Sequence, residues 1–196
     1  MRVPISERFN WTASFDQLRP LTSTIKTHNH GAEDLAPHGP AMIVAPEDGE
    51  VYFFCAIRPN NKRKMSEVDV QESPFDMKGH YYFYDIYGGV VILISRDRQR
   101  THVMTHSYRN QIFNLTPAKV VVSESPRDER FPICVEHSFN QPVSVKEGQT
   151  ICGVGNAGFS TGRHVHWEIH HGTSWNEHDK RIRPKVWLST GTHYEA

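Results

Sequence analysis

Four histidines fall within eight residues of the sequence, in the stretch STGRHVHWEIHHG that spans residues 160–172. His164 and His166 are separated by one residue, and side chains two apart on an extended strand point to the same face. Two imidazoles on one face can share a metal ion, or one can bind the ion while the other acts on a substrate. A polar strand exposed to water shows the same alternation, so this pair indicates a metal site only if further ligands lie elsewhere in the chain.

A second group of candidate ligands lies upstream, where His30 and Asp34 are four residues apart with Gly31 between them. These two residues, joined by a histidine from a distant strand, would supply three protein ligands. Zinc with three protein ligands keeps a fourth position open for water, which then becomes a nucleophile near neutral pH. Two histidines and one carboxylate would also suit a non-haem iron centre. The alternative without a metal is that Asp34 caps a turn and His30 is solvated.

The third candidate is His106, at the end of the alternating run THVMTH. If this run is extended, His102, Met104 and His106 share one face. His106 is an ordinary strand-end histidine unless the fold brings it beside His164. His102, and His170 on the other strand, are expected at the rim of the site, behind its ligands or in solvent.

Composition and charge narrow the class of protein. The chain has 196 residues, enough for one domain, and its formal net charge is zero. Without a basic excess, binding to nucleic acid through bulk electrostatics is not expected. Cys55, Cys134 and Cys152 form no CxxC motif, so we expect buried free thiols, with one disulfide and a single free thiol as the alternative. No secretory signal and no membrane-spanning segment is expected from the distribution of apolar residues.

Short β-branched and aromatic runs between turn residues predict an all-β or β-rich domain. The segments 58–79 and 125–142 are predicted to be long loops between strands. We predict an irregular N-terminal arm over residues 1–27, a catalytic domain over 28–175 and a C-terminal tail over 176–196 that packs on the domain. Strands are predicted at 49–57, 81–87, 89–95, 101–106, 118–124, 149–155 and 163–170.

Four blocks of the sequence, in this order, resemble the lysostaphin/LytM-type zinc metallopeptidases, which cut the peptide part of bacterial peptidoglycan. The blocks are HGAEDLAPHGPAMIVAPEDGEV, YGGVVILIS, THVMTHS and VSVKEGQTICGVGNAGFSTGRHVHWEIHHG. The resemblance runs from about His30 to Gly172 and implies a lysostaphin-like fold of the duplicated hybrid motif type. In that fold an antiparallel sheet forms a substrate groove. Strands 163–170 and 101–106 would lie side by side on its floor, and a loop at 28–36 would close one end.

The resemblance also assigns roles to individual residues. It implies that His30, Asp34 and His166 bind Zn²⁺. His106 and His164 then match the two catalytic histidines that are not ligands, which polarise the water and stabilise the oxyanion in that family.

Three positions depart from the family pattern. The family often has glycine two residues after its first histidine, whereas Gly31 directly follows His30 and leaves His28 as a weaker alternative ligand. Met104 stands where tyrosine is common, and Arg163 stands where proline is common.

The resemblance predicts a zinc-dependent endopeptidase that hydrolyses amide bonds in peptidoglycan cross-links or stem peptides. A phage lysin or a virion-associated tail or baseplate protein is the expected setting. It would reach the periplasm or cell wall in the virion or through a lysis system, with phage tail or baseplate proteins as further partners. The alternative is a catalytically silent structural or binding module of the same fold. The five filled site positions favour the enzyme.

Overall fold

Runs of β-branched and aromatic residues form strands along most of the chain, as their intrinsic preference for a pleated, half-buried surface predicts. The structure, a computed structural model, describes residues 1–19, 28–59, 76–77, 80–107, 121–125, 133–158, 160–175, 180–185 and 188. Its strands are β1 (Phe9–Ala13), β2 (Leu18–Arg19), β3 (His28–Asn29), β4 (Glu33–Pro37), β5 (Met42–Val44), β6 (Gly49–Pro59), β7 (Asp76–Met77), β8 (His80–Ser95), β9 (Arg100–Ser107), β10 (Val121–Ser125), β11 (Ile133–His137), β12 (Val143–Val145), β13 (Thr150–Gly153), β14 (Val165–His171) and β15 (Arg181–Ile182).

One large antiparallel sheet contains 11 of these strands and confirms the predicted fold class. Its main path runs β1-β4-β14-β9-β8-β6-β11-β10. β14 therefore lies between β4 and β9, and the predicted pairing of the two histidine-bearing strands is confirmed. No helix among the described residues is long and apolar enough to cross a membrane.

Three segments predicted to be irregular contain strands of this sheet. β1 lies in the predicted arm and pairs with β4. β11 lies in the predicted loop 125–142 and pairs with both β6 and β10. β4 occupies part of the predicted closing loop at 28–36. β1 escaped prediction because it is an edge strand with three successive exposed residues, so it lacks the alternation that marks a strand. Most of the predicted loop 58–79 lies outside the described residues.

β14 alternates as its sequence predicts. Val165, Trp167 and Ile169 have no exposed surface and belong to the main hydrophobic core. Each such side chain stabilises the fold by about 1.5–3 kcal/mol through burial. The opposite face of β14, which carries His166 and Glu168, is thereby held in place.

The described cysteines agree with the prediction of buried free thiols. Cys55 and Cys152 are both buried and free. The side chain of Cys134 lies outside the described residues.

Candidate metal centre

Pairing of β4 with β14 places two of the predicted ligands side by side. His166 lies directly opposite Asp34 in this register. His30 precedes β4, and its backbone is held at both ends, since its N–H donates to the Gln17 carbonyl at 2.8 Å and its carbonyl accepts from the Asp16 N–H at 2.7 Å. The sheet therefore positions two ligands, and the segment between β3 and β4 positions the third.

The three predicted ligands converge on one point. His30 Nε2 lies 3.1 Å from His166 Nδ1, and Asp34 Oδ1 lies 3.2 Å from the former and 3.0 Å from the latter. Neighbouring ligand atoms of a tetrahedral zinc ion, with bonds of about 2.0–2.1 Å, are roughly 3.3–3.4 Å apart. The triangle thus has nearly the size of one face of such a site, and its donor set fits zinc. The side chain of His28, the weaker alternative, lies outside the described residues.

Two hydrogen-bond acceptors determine which ring nitrogens of His30 and His166 face the other ligands. His30 Nδ1 donates to the Ser14 carbonyl at 3.3 Å, and His166 Nε2 donates to the Glu168 carboxylate at 3.0 Å. These oxygens only accept hydrogen bonds, so each neutral ring carries its proton on the outer nitrogen. Both inner nitrogens and the Asp34 oxygen then present lone pairs to the same point. Such an arrangement requires a cation to stabilise it.

The pKa values of Asp34 and His166 are shifted in directions that agree with a cation site. Burial acts to raise the pKa of Asp34, but hydrogen bonds from His166 and His30 outweigh it and hold this pKa far below its usual range. Burial also opposes charge on His166, yet its hydrogen bonds to Asp34 and Glu168 raise the pKa of its ring to about 8. Both pKa shifts favour a negative charge on Asp34 beside a positive charge, which is the electrostatic environment of a cation site.

His106 and His164 border this triangle without joining it. Their ring centroids are 4.5 Å apart, and that of His106 is 5.8 Å from that of His166. His164 Nε2 lies 3.8 Å from Asp34 Oδ1. The structure thus brings together all five residues that the sequence predicts for the site.

Each of these two histidines is oriented by a backbone carbonyl. His106 Nδ1 donates to the Ala157 carbonyl and His164 Nδ1 to the Gly162 carbonyl, both at 2.8 Å. Burial, together with the neighbouring histidines, lowers the pKa of His106 to about 3. Burial also lowers the pKa of His164, against the effect of its bond to Gly162. Both rings are therefore neutral near pH 7 and carry a lone pair on Nε2.

His106 reaches the site through a left-handed backbone conformation. Met104 is paired with Trp167 on the core face, so an uninterrupted strand would turn His106 toward the core as well. Its φ of 71° turns the ring to the site instead. Ala157, which holds this ring, is packed so closely on Gly88 that a Cβ there would lie 2.7 Å from the Ala157 backbone. Because Gly88 has no side chain, Ala157 can pack against it, and the Ala157 carbonyl holds the His106 ring in place.

Comparison of the sequence with protein-family profiles and with characterised proteins gives no match. The structure, however, resembles the catalytic domain of the antimicrobial peptidase lysostaphin from Staphylococcus simulans, with a TM-score of 0.52 and 16% identity over 93% of both chains. The chain has the lysostaphin fold.

Two further solved structures share this lysostaphin fold. A zinc-containing peptidase from Vibrio cholerae has a TM-score of 0.51 and 15% identity over 92% of this chain. This chain spans only 37% of the length of that protein. LytU has a TM-score of 0.50 and 17% identity over 94% of this chain and 86% of its own. The resemblance that the sequence predicts is confirmed at the level of fold.

Of the two histidines expected at the rim, behind the ligands or in solvent, His170 lies behind the ligands and His102 lies on the core side. His170 is fully buried and donates to Glu168 at 2.7 Å, so it lies behind the ligands. His102 is also fully buried, on the core side, where it accepts from the Trp167 indole at 3.2 Å and donates to Glu47 at 2.6 Å. The polar alternation that predicted exposure gives no sign of these buried partners.

Sequence reasoning also missed three residues that orient site residues. Ser14 and Ala157 accept hydrogen bonds from His30 and His106, and Arg181 donates to Glu168. Glu168 is the one residue of this kind with a signal in the sequence. It lies two residues after His166 on a strand, which is the spacing that places both on one face.

Proposed function

We propose that this protein is a zinc-dependent endopeptidase that hydrolyses amide bonds in peptidoglycan cross-links or stem peptides. The observation that carries the proposal is the convergence of three lone-pair donors beside two neutral histidines. The fold adds support, since two proteins that share it are an antimicrobial peptidase and a zinc-containing peptidase.

Three of the five site residues would bind the metal ion, and the other two can transfer protons. His30, Asp34 and His166 would hold the zinc ion, which when bound supplies Lewis-acid activation of water and of the scissile carbonyl. His106 and His164 present Nε2 lone pairs, so either can accept a proton from the attacking water and deliver it to the leaving amine. Once protonated, the same Nε2–H can donate to the developing oxyanion.

A peptidoglycan hydrolase has to reach the cell wall. We propose that this one does so in a phage virion, with tail or baseplate proteins as partners, or by release through a lysis system. Mass spectrometry of purified virions tests the first route. Absence of the protein from virions, together with its appearance in the lysate, would favour the second.

Digestion of defined muropeptides tests the enzyme, with products identified by mass spectrometry and bound metal by elemental analysis. We expect cleavage by the wild type and no cleavage by His166→Ala. His171→Ala is the matched control, because His171 is an exposed histidine on the same strand and outside the site. Zinc in the wild type with intact cross-links would support the silent module. Iron in place of zinc would support the non-haem alternative.

A further inference from the structure

Glu168 lies behind His166 on the same face of β14, and its carboxylate accepts four hydrogen bonds. Oε1 accepts from His166 Nε2 at 3.0 Å and from Arg181 Nη2 at 3.1 Å. Oε2 accepts from His170 Nε2 at 2.7 Å and from Arg181 Nε at 3.0 Å. The Glu168 side chain is only 5% exposed, and these donors match all four lone-pair sites of an ionised carboxylate. A fully satisfied buried network of this kind holds every member in one orientation.

Arg181 connects this carboxylate to the segment that carries the other ligands. Its strand, β15, pairs with β14 so that Arg181 lies opposite His170. Two guanidinium nitrogens bind Glu168, and the third, Nη1, lies so close to Gly31 that a Cβ there would overlap it. Gly31 directly follows His30. One guanidinium therefore contacts both ligand-bearing segments of the chain.

We propose that Glu168, clamped by Arg181, is a positioning residue of the metal centre. It fixes the ring orientation and tautomer of His166 and thereby sets the affinity of the site for zinc. The inference rests on the zinc site of the proposed function. Without an acceptor at Nε2, the His166 ring is free to rotate or to carry its proton on Nδ1, the nitrogen that faces the metal position.

Glu168→Gln tests this role with little change in shape. An amide has one acceptor oxygen and an NH₂ group that only donates, so two of the four donors would face another donor. Loss of an outer carboxylate partner typically weakens metal binding about 10–100-fold. Arg181→Lys is the second variant, because it keeps the carboxylate but replaces the bidentate fork with a single ammonium group. We expect it to weaken zinc binding less than Glu168→Gln.

The chain contains a matched control at Glu47. The Glu47 side chain is 12% exposed. Its carboxylate has the same partner types, since it accepts from Arg100 Nε at 2.9 Å and Nη2 at 2.7 Å and from His102 Nε2 at 2.6 Å. None of these residues is a predicted metal ligand or catalytic histidine. Glu47→Gln therefore removes the same charge from a comparable network and leaves His166 and its partners unchanged. A purely structural role for Glu168 would make both glutamine variants less stable and leave zinc affinity the same in both.

The experiment measures zinc affinity by competition with a chromophoric chelator and records the visible spectrum of the Co²⁺-substituted proteins, with circular dichroism to check folding. We expect 10–100-fold weaker zinc binding and an altered Co²⁺ spectrum for Glu168→Gln. Glu47→Gln should match the wild type in both. Wild-type affinity and spectrum in a folded Glu168→Gln would overturn the inference. If that variant does not fold, wild-type values in Arg181→Lys would overturn it. A wild type that binds neither metal would instead refute the proposed zinc site, and the positioning role with it.

Discussion

A single methyl group at Gly31 is expected to break the contact between Arg181 and Glu168. The backbone of Gly31 is not left-handed, so this glycine is required for space alone. A Cβ there would overlap Arg181 Nη1 and would lie 2.6 Å from Arg181 Cζ, whereas ordinary contact begins at 3.4 Å, so the guanidinium has to move by at least about 0.8 Å. Its bonds to Glu168 are 3.0 and 3.1 Å long. A displacement of that size either compresses these bonds or breaks them.

The size of the expected loss of stability follows from Glu168, which would lose Arg181 as its partner. Removing one partner of a buried ion pair is destabilising by roughly 3–5 kcal/mol. Glu168 keeps His166 and His170 as donors, so we expect the lower end, about 3 kcal/mol, for Gly31→Ala and the same for Arg181→Ala. With alanine at 181 the new methyl group meets no guanidinium, and Gly→Ala changes can stabilise a protein by about 0.4–1 kcal/mol through the unfolded chain. The double variant should therefore lose about 2–3 kcal/mol, far below the sum of the two.

Urea denaturation of the metal-free protein, followed by circular dichroism, measures the free energy of unfolding. The wild type, the two single variants and the double variant together form a double-mutant cycle. The control is Gly39→Ala, because a Cβ at Gly39 meets nothing within 4 Å. It should change the free energy by less than about 1 kcal/mol. Losses that add in the double variant, or a Gly31→Ala protein as stable as Gly39→Ala, would refute the steric reasoning.

Three other predictions concern acid stability, the position of His106 and the burial of a thiol. Burial acts to raise the pKa of Glu47, but hydrogen bonds from a neighbouring arginine and histidine lower it from 4.5 to about 2. Because the pKa of Glu47 is lower in the folded protein than in the unfolded chain, its ionised carboxylate stabilises the fold above about pH 4.5. This contribution is lost as the pH falls toward 2. Free energies of unfolding measured by urea denaturation between pH 6 and 3 should therefore fall more steeply for the wild type than for Glu47→Gln, by about 2 kcal/mol, and parallel curves would contradict this. Gly88→Ala should displace His106 and lower muropeptide turnover about 100-fold with zinc retained, so unchanged turnover would count against the assigned geometry. Burial raises the pKa of the Cys152 thiol to about 12, so peptide mapping after iodoacetamide treatment at pH 8 should find it modified only in urea. Modification in the folded protein would disprove its burial.

The local pattern of β14 was sufficient to predict much of the site. Alternation at a period of two is a property of neighbouring residues, and it placed His166 on one face and Trp167 in the core, as the structure confirms. The order of the four sequence blocks then pointed to His30, Asp34 and His106, which the structure brings beside them.

Contacts between distant segments could not be predicted in this way. Arg181 meets Gly31 only because β15 is paired with β14, and neither residue carries a local signal of the other. The left-handed conformation of His106 likewise opposes the alternation of its own strand. β1 was missed because an edge strand with exposed residues has no apolar period. Pairing partners, rather than strand propensity, decide each of these features.

The place of β14 in the sheet has a consequence for the order in which the protein matures. β14 separates β4 from β9 in space but follows both in the chain. During synthesis His30 and Asp34 therefore emerge well before His166, and the lone-pair triangle does not exist until β14 inserts between its neighbours. Sheets built from such long-range pairs form slowly compared with locally connected folds. We therefore expect binding of the proposed metal ion to be a late event in biogenesis, because its three ligands come together only when the central sheet is complete.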